Sequence, residues 1–213
     1  MKKITYIGLE RCDFIYHLAT ILSLQGNVLI NDRSVSLDLI KSVSPYDDLN
    51  ERVDWRNIVT VKDADTDNSD VSDFEYVIDY VGMNFEEKDF YNNTLTLIMP
   101  GFEKYSIKEL SEKMPANTSN PMFILRDACS KKYTQKSIAA ILQVSPKEIL
   151  GFIPLSATDM GNYIILTHNR AASISNLSPE FIEGLEFVSA KLLEIEGDTR
   201  KIKKVFKAAQ KIK

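Results

Sequence analysis

Seven short runs rich in isoleucine, valine and tyrosine recur along the chain, separated by stretches with helical spacing. Several of these runs are apolar at every position and lack the alternation of a half-exposed strand. This pattern is typical of a parallel sheet that helices cover on both faces. The sequence therefore predicts a three-layer α/β fold with a mostly parallel sheet, whose strands lie at residues 4–8, 28–30, 58–61, 76–81, 95–99, 122–125 and 149–153.

The first helix is predicted to follow the first strand directly, over residues 13–25. Asp13 is the expected capping residue at its start, and Gly26 is the expected stop. One face of this helix is apolar and consists of Phe14, Leu18, Ile21 and Leu22. Strand, helix, glycine and strand together indicate a βαβ unit.

Two later segments carry helix-start signals. Ser145, Pro146 and Glu148 form a capping-box pattern that predicts one short turn before the last strand. Ser178 followed by Pro179 predicts the start of a long helix that runs to about residue 195.

Length and composition favour one globular domain. A chain of 213 residues can bury a core of its own. The apolar run at the N-terminus is too short for a signal peptide, and no run reaches membrane-spanning length. Cys12 and Cys129 are far apart and do not form a metal-ligand pattern, which favours a reducing compartment. We therefore expect a cytoplasmic protein without a bound metal.

The acidic stretch at residues 63–75 imitates the beginning of a calcium loop through Asp63, Asp65 and Asp67. An EF-hand loop needs glycine at its sixth position and glutamate at its twelfth, where this chain has Asn68 and Phe74. We expect a solvated loop there.

The C-terminal residues 199–213 hold seven basic residues and no acidic one, and the first 198 residues carry 19 basic and 30 acidic residues, a net charge of −11. The charge of the body disfavours specific nucleic-acid binding. Ile202, Val205 and Phe206 share one helical face, and Lys203, Lys204 and Lys207 occupy the rest. We expect a basic amphipathic helix over 198–213, which either contacts an anionic membrane weakly or docks on a partner or on its own domain.

The segments LATILSLQG, VLINDRS, FEYVIDYVG, LTLIMPG, MFILRDA and ILGFIPLSATD follow one another in this order. Their order and spacing resemble the MinD/ParA family of deviant Walker A ATPases, over nearly the whole chain. The resemblance implies a P-loop NTPase architecture over residues 1–197, with a connector and a final helix after the last strand. A dinucleotide-binding domain is the competing interpretation, but the first turn lacks the second and third glycines of GxGxxG.

The family's phosphate loop reads KGGxGKTT. Aligned on this pattern, Gly8 and Arg11 take glycine positions, Cys12 takes the lysine position, and Asp13 takes the position of the magnesium-binding threonine. A thiol and a carboxylate can neither neutralise phosphate charge nor supply the hydroxyl for Mg²⁺. Asp13 also adds negative charge at a helix N-terminus, which normally attracts phosphate.

Two further positions match acidic residues of the family. Asp32 matches the first aspartate of the DxD pattern, whose second falls on Ser34. Asp79 lies near the Walker B aspartate but one residue early, with Tyr80 in register. We interpret these carboxylates, like the loop residues, as remnants of a nucleotide site that no longer functions.

The expected function is that of a pseudo-ATPase without catalytic residues or cofactor, which serves as a scaffold or regulatory partner in positioning or assembling a larger machine. Division, partition, pilus or flagellum placement and secretion are the contexts that the resemblance implies, with a protein partner that is a second copy or an active MinD/ParA-like ATPase. MinD-type relatives also use a C-terminal amphipathic helix to reach the membrane.

The main alternative is a true ATPase with Mg²⁺ that uses Arg11 or a residue from a partner chain; a dinucleotide-dependent enzyme ranks below it. Cys12 at a helix start is a weak candidate nucleophile, because Glu10 and Asp13 disfavour a thiolate. Neither His17, inside the first helix, nor His168, placed in a loop, shows the spacing of a metal site or a triad.

Overall fold

The computed structural model describes residues 1–45, 51–62, 71–101, 103–128 and 135–212. The strands are β1 (Lys2–Gly8), β2 (Val28–Asp32), β3 (Arg52–Trp55), β4 (Ile58–Lys62), β5 (Tyr76–Gly82), β6 (Leu95–Met99), β7 (Pro121–Ala128) and β8 (Ile149–Pro154). The α-helices are α1 (Asp13–Leu22), α2 (Asp38–Val43), α3 (Lys104–Lys113), α4 (Gln135–Leu142), α5 (Ala157–Asn169), α6 (Pro179–Leu192) and α7 (Thr199–Ala209).

The strands form one sheet in the order β3-β4-β2-β5-β1-β6-β7-β8. All neighbours are parallel except β3 and β4, which are antiparallel. Helices cover both faces, with α3 and α4 on one side and α1, α2, α5, α6 and α7 on the other. The predicted three-layer α/β architecture is confirmed, and each of the seven predicted strands is present.

The sequence prediction missed β3, a short edge strand. It is four residues long, its two charged residues Arg52 and Asp54 are exposed, and only Val53 is buried. Arg56 and Asn57 join it to β4 with φ values of 48° and 61°, the left-handed pair of a tight hairpin turn. A strand with one buried apolar residue has no apolar run to reveal it.

The prediction that Asp13 caps α1 is wrong. Cys12 is the capping residue and makes no side-chain capping hydrogen bond, and the helix ends at Leu22, three residues earlier than predicted. The Asp13 carboxylate is held instead by Arg126 of β7. The capping box at Ser145 and the helix start at Ser178 are both confirmed.

The connector after β8 contains a full helix, α5, capped by Ser156. His168 therefore lies in the last turn of a helix, and its placement in a loop was wrong. The calcium-like segment of Asp63, Asp65 and Asp67 lies outside the described residues, as does Cys129. Within the described ranges, no helix has both the length and the apolar character needed to span a bilayer.

Helix α7 packs against α1 and α6. Phe206 and Ala209 are buried, and Ile202 and Val205 are partly buried against the same core. Lys203, Lys204 and Lys207 are exposed. The predicted amphipathic helix thus exists, with its apolar face docked on the chain's own domain.

Candidate functional site at the first strand–helix turn

The turn between β1 and α1 lies at the carboxyl edge of the sheet, where open α/β folds bind ligands. β1 ends at Gly8, which has a φ of +135°. A Cβ atom at this position would lie 2.1 Å from the carbonyl oxygen of Met99 in β6. Only glycine fits, because any side chain would collide with the neighbouring backbone.

Three backbone N–H groups of this turn are already bonded within the chain. Leu9 donates to the Met99 carbonyl at 2.9 Å, and Arg11 donates to the Leu9 carbonyl at 2.9 Å. The Cys12 N–H donates to Asp38 Oδ2 at 2.7 Å, across 26 residues of sequence. A phosphate-binding loop directs such groups at its ligand, so a carboxylate of α2 here accepts a hydrogen bond of the kind that a phosphate oxygen would accept.

Asp13 and Arg126 form a buried bidentate ion pair at the same place. The two guanidinium nitrogens lie 2.7 and 2.6 Å from the two carboxylate oxygens, and each side chain is 1% exposed. Burial alone would raise the pKa of Asp13, but the guanidinium outweighs it and holds that pKa below its ordinary value. Arg126 also lies over the ring of Phe181, 4.9 Å from its centroid.

Arg11 is engaged with neighbours inside the fold. Its guanidinium is 2.7 Å from the Asp127 carboxylate, 3.5 Å from that of Asp13, and 5.0 Å from the ring centroid of Tyr163. Arg11 is therefore paired with Asp127 and mostly buried, with 11% of its side chain exposed.

Glu10 joins the turn to the loop that follows β2. Its carboxylate accepts hydrogen bonds from the N–H groups of Val35 and Ser36 at 3.2 and 3.0 Å. Gly82, with a φ of +69°, leaves the space that Glu10 uses, since a Cβ there would lie 2.6 Å from Glu10 Cγ. Glu10 and Asp38 together attach the β2–α2 segment to the first turn.

The Cys12 thiol is buried, 3.5 Å from the hydroxyl of Ser42. Burial, followed by the nearby Asp38 charge, raises its pKa well above the ordinary value. A nucleophilic cysteine needs the opposite shift and access to substrate. The geometry therefore gives no support to the alternative of a cysteine-based enzyme.

Asp32 serves the local backbone. Its Oδ1 accepts from the N–H and hydroxyl groups of Ser34 at 3.1 and 2.6 Å, and Oδ2 accepts from the Ile40 N–H at 3.0 Å. These bonds fix the loop after β2 and the first turn of α2. Burial raises the pKa of Asp32 to about 6.

Asp79 does not share this site. It lies 3.0 Å from Asn31 Nδ2 and 3.6 Å from Lys3 Nζ, while Tyr80 belongs to the core beneath α1, 5.1 Å from the Tyr6 ring. Successive strand residues point to opposite faces, so the one-residue offset noted in the sequence moves the carboxylate to the other side of the sheet. The structure brings Gly8, Arg11, Cys12, Asp13 and Asp32 to one region but places Asp79 outside it.

Sequence reasoning missed two residues of this site, Arg126 and Asp38. Arg126 is the only charged residue within the apolar run MFILR, and a charge there signals a buried partner. Asp38 has no comparable signal, because its bond to Cys12 depends on the tertiary fold.

His17 is buried beside Asn162, 3.3 Å away, and burial lowers its pKa to about 4.

No protein-family model matches this sequence, and no curated protein matches it. The solved structures that are similar in fold include the following three. The MinD cell division protein of Aquifex aeolicus has a TM-score of 0.58 and 14% identity, covering 88% of this chain and 97% of its own. A ParA family ATPase of Chlorobium tepidum TLS has a TM-score of 0.56 and 12% identity, covering 99% of both chains.

A plasmid partition protein of Borrelia burgdorferi B31, solved with AMPPNP, has a TM-score of 0.55 and 16% identity, covering 92% of this chain and 98% of its own. These similarities extend over nearly the full length of each chain. They agree with the order of strands and helices on which the sequence resemblance was based. The chain therefore has the P-loop NTPase fold of the MinD and ParA ATPases.

Proposed function

We propose that this chain is a non-catalytic relative of the MinD and ParA ATPases, which acts as a scaffold or regulatory partner in positioning or assembling a larger cellular machine. The observation that supports this proposal most directly is the hydrogen bond from the Cys12 N–H to the Asp38 carboxylate. It occupies the end of α1 at which a nucleotide phosphate would have to bind.

The electrostatic argument points in the same direction. Glu10, Asp13 and Asp38 place three carboxyl groups around the N-terminus of α1. A triphosphate brings roughly four negative charges to a position that lacks the phosphate-binding lysine and the magnesium-binding hydroxyl. Arg11 and Arg126 are already paired with acidic residues, so neither can neutralise that charge without leaving a partner unpaired.

The cellular context is inferred from the names of the similar structures, a cell division protein and a plasmid partition protein. Proteins with this fold that have lost the nucleotide can retain surfaces for a second copy or for an active relative. We therefore place this chain among proteins that organise division, partition or a comparable assembly through protein contacts.

The test is calorimetric titration of the full chain with ATP and Mg²⁺, with an active MinD or ParA ATPase as positive control. We expect no binding at about millimolar nucleotide and no hydrolysis above background, because the N–H groups of Leu9, Arg11 and Cys12 already have acceptors within the chain. The same titration with NAD and FAD tests the dinucleotide-dependent alternative.

Micromolar ATP binding that disappears in Arg11→Ala would overturn the proposal and establish the unorthodox ATPase in its place. Restoring the lysine alone, in Cys12→Lys, is expected to leave ATP binding undetectable, because Asp38 still accepts from the turn. Detectable ATP binding by the Cys12→Lys variant would contradict the role that we assign to Asp38.

A further inference from the structure

A cleft of about 630 Å³ lies between α7 and the amino-terminal edge of the sheet. Lys2 and Tyr76, at the beginnings of β1 and β5, mark that edge. The first strand–helix turn lies at the opposite, carboxyl edge, so the two regions are separate. The volume falls within the roughly 300–1,000 Å³ that is usual for sites of small molecules.

The cleft combines an apolar lining with amino groups. Leu24, Leu193, Ile195 and Val205 supply apolar surface from the segments after α1 and α6 and from α7. Lys201 and Lys204 line the same cleft from α7. They are one helical turn apart, so both side chains lie on the cleft side of the helix.

The charged residues that line the cleft are all lysines. The Lys2 ammonium is bonded to the Leu192 carbonyl and to Glu194, at 2.5 and 2.6 Å, so its charge is neutralised. Lys201 is 3.6 Å from Asp198 in an exposed pair, and pairs of this kind contribute little stability and exchange readily. Lys204 is the third lysine of the lining, and the acidic partners of Lys2 and Lys201 are not among the residues that line the cleft.

Tyr76 adds a hydrogen-bond donor to this lining. Its side chain lies almost entirely within the protein, and the residue is 7% exposed. Burial, followed by the charges of Glu75 and Glu194, raises its pKa above the ordinary value of a phenol.

We propose that this cleft binds a small amphipathic anion, a carboxylate with a short hydrocarbon chain, whose charged group lies against Lys201 and Lys204 and whose chain lies on Leu193, Ile195 and Val205. This site is independent of the function proposed above, since it uses neither the first turn nor any partner. A ligand bound there would contact both α7 and the body of the domain.

The probe for the test is octanoate, titrated calorimetrically into the full-length protein at submillimolar to millimolar concentration. Acetate has the charge without the chain, and octylammonium has the chain with the opposite charge. We expect one molecule of octanoate to bind per chain and neither of the other two to bind. Replacing both cleft lysines, in Lys201→Gln with Lys204→Gln, should weaken octanoate binding about tenfold or more.

The matched control replaces Lys203 and Lys207 with glutamine, an equal change of charge on the same helix but outside the cleft lining. We expect it to change octanoate affinity less than about twofold. Ala208→Trp, which fills the cleft from an exposed position without removing charge, should abolish binding. Equal loss in the two lysine pairs, binding of octylammonium, or no octanoate binding at millimolar concentration would each overturn the proposal.

Discussion

Asp13 and Arg126 form the buried ion pair at the turn between β1 and α1. Their ion pair joins the start of α1 to β7, and both side chains are 1% exposed. Removing one partner of a buried pair leaves an uncompensated charge, whereas replacing both by apolar residues is often neutral. The contribution of this ion pair to the free energy of unfolding can therefore be measured by comparing a single variant with a double variant.

We predict that Arg126→Met lowers the free energy of unfolding by about 3–5 kcal/mol, because the buried Asp13 carboxylate loses its bidentate partner and keeps only Arg11, 3.5 Å away, as a counter-charge. The double variant Asp13→Leu with Arg126→Met should recover most of that loss. Urea denaturation followed by circular dichroism gives both values. A loss below about 1 kcal/mol in the single variant would contradict the prediction and show that Arg11 or water replaces Arg126 at the Asp13 carboxylate.

Asp32 gives a prediction about pH. Its pKa in the folded chain is about 6, above the ordinary value of 3.8, because of burial. The folded state then holds more protons than the unfolded state between these values, so the contribution of Asp32 to stability falls as pH rises from about 4 to 6. His17, whose folded pKa is lowered to about 4, acts in the opposite direction over an overlapping range.

The variant Asp32→Asn separates the contribution of Asp32 to the pH dependence of stability from that of His17, because it removes only the carboxyl group of Asp32. We predict that it is less stable than the wild type near pH 4 and that the difference narrows by about 2–3 kcal/mol by pH 7. The urea denaturation midpoints of the wild type and of the variant at four pH values measure this difference in stability. A difference that stays constant or widens with pH contradicts the raised pKa of Asp32.

Among the elements, α7 is the one through which we expect membrane contact. Its apolar face is docked through Phe206 and Ala209, so the surface that remains free for a bilayer is the basic one. Arg200, Lys203 and Lys207 are exposed on it. Each basic residue near an anionic bilayer contributes about 1 kcal/mol, and salt screens this attraction.

We predict weak flotation with anionic liposomes at low salt, which disappears near 0.3 M salt and in Lys203→Glu with Lys207→Glu. Phe206→Ala should leave flotation unchanged and lower the melting temperature, because Phe206 stabilises the domain core. If full-length protein and a truncation at Thr199 float equally, α7 does not contact the membrane. If Phe206→Ala alone abolishes flotation, the helix undocks and inserts its apolar face.

The elements also show what the sequence could reveal. β1, β2 and β5 are predictable because a strand covered on both faces must be apolar at nearly every position. The edge strand β3 could not be predicted in this way, because only one of its four residues is buried and it has no apolar run. The sequence alignment already sets Asp79 one residue before the Walker B position, and in a strand an offset of one residue exchanges the two faces of the sheet.

At the scale of the whole molecule, the order of the elements identifies the fold, because consecutive strands and helices are read directly along the chain. The contacts that close the first turn could not be predicted in this way. Asp38 reaches Cys12 across 26 residues and Arg126 reaches Asp13 across 113. Such bonds depend on the order of the strands in the sheet, which local sequence patterns do not reveal.

Self-association is a further prediction at this scale. The proposed function includes a second copy of this chain among its partners, and the hydrogen bond from Cys12 to Asp38 leads us to expect that such association does not depend on nucleotide. We expect light scattering to detect a dimer at high micromolar concentration that ATP and Mg²⁺ leave unchanged. A strict monomer under these conditions rules out the homodimer and leaves an active relative as the expected partner.

The burial of Cys12 has a consequence for chemical labelling. Its thiol is inaccessible and its pKa is raised, so an alkylating reagent can modify it only after the first turn has opened. With Cys129 replaced by serine, the labelling rate therefore reports how often this part of the chain opens under native conditions. If the same opening exposes Asp13, Arg126→Met should accelerate the labelling of Cys12 by roughly a hundredfold or more, which corresponds to a loss of about 3 kcal/mol.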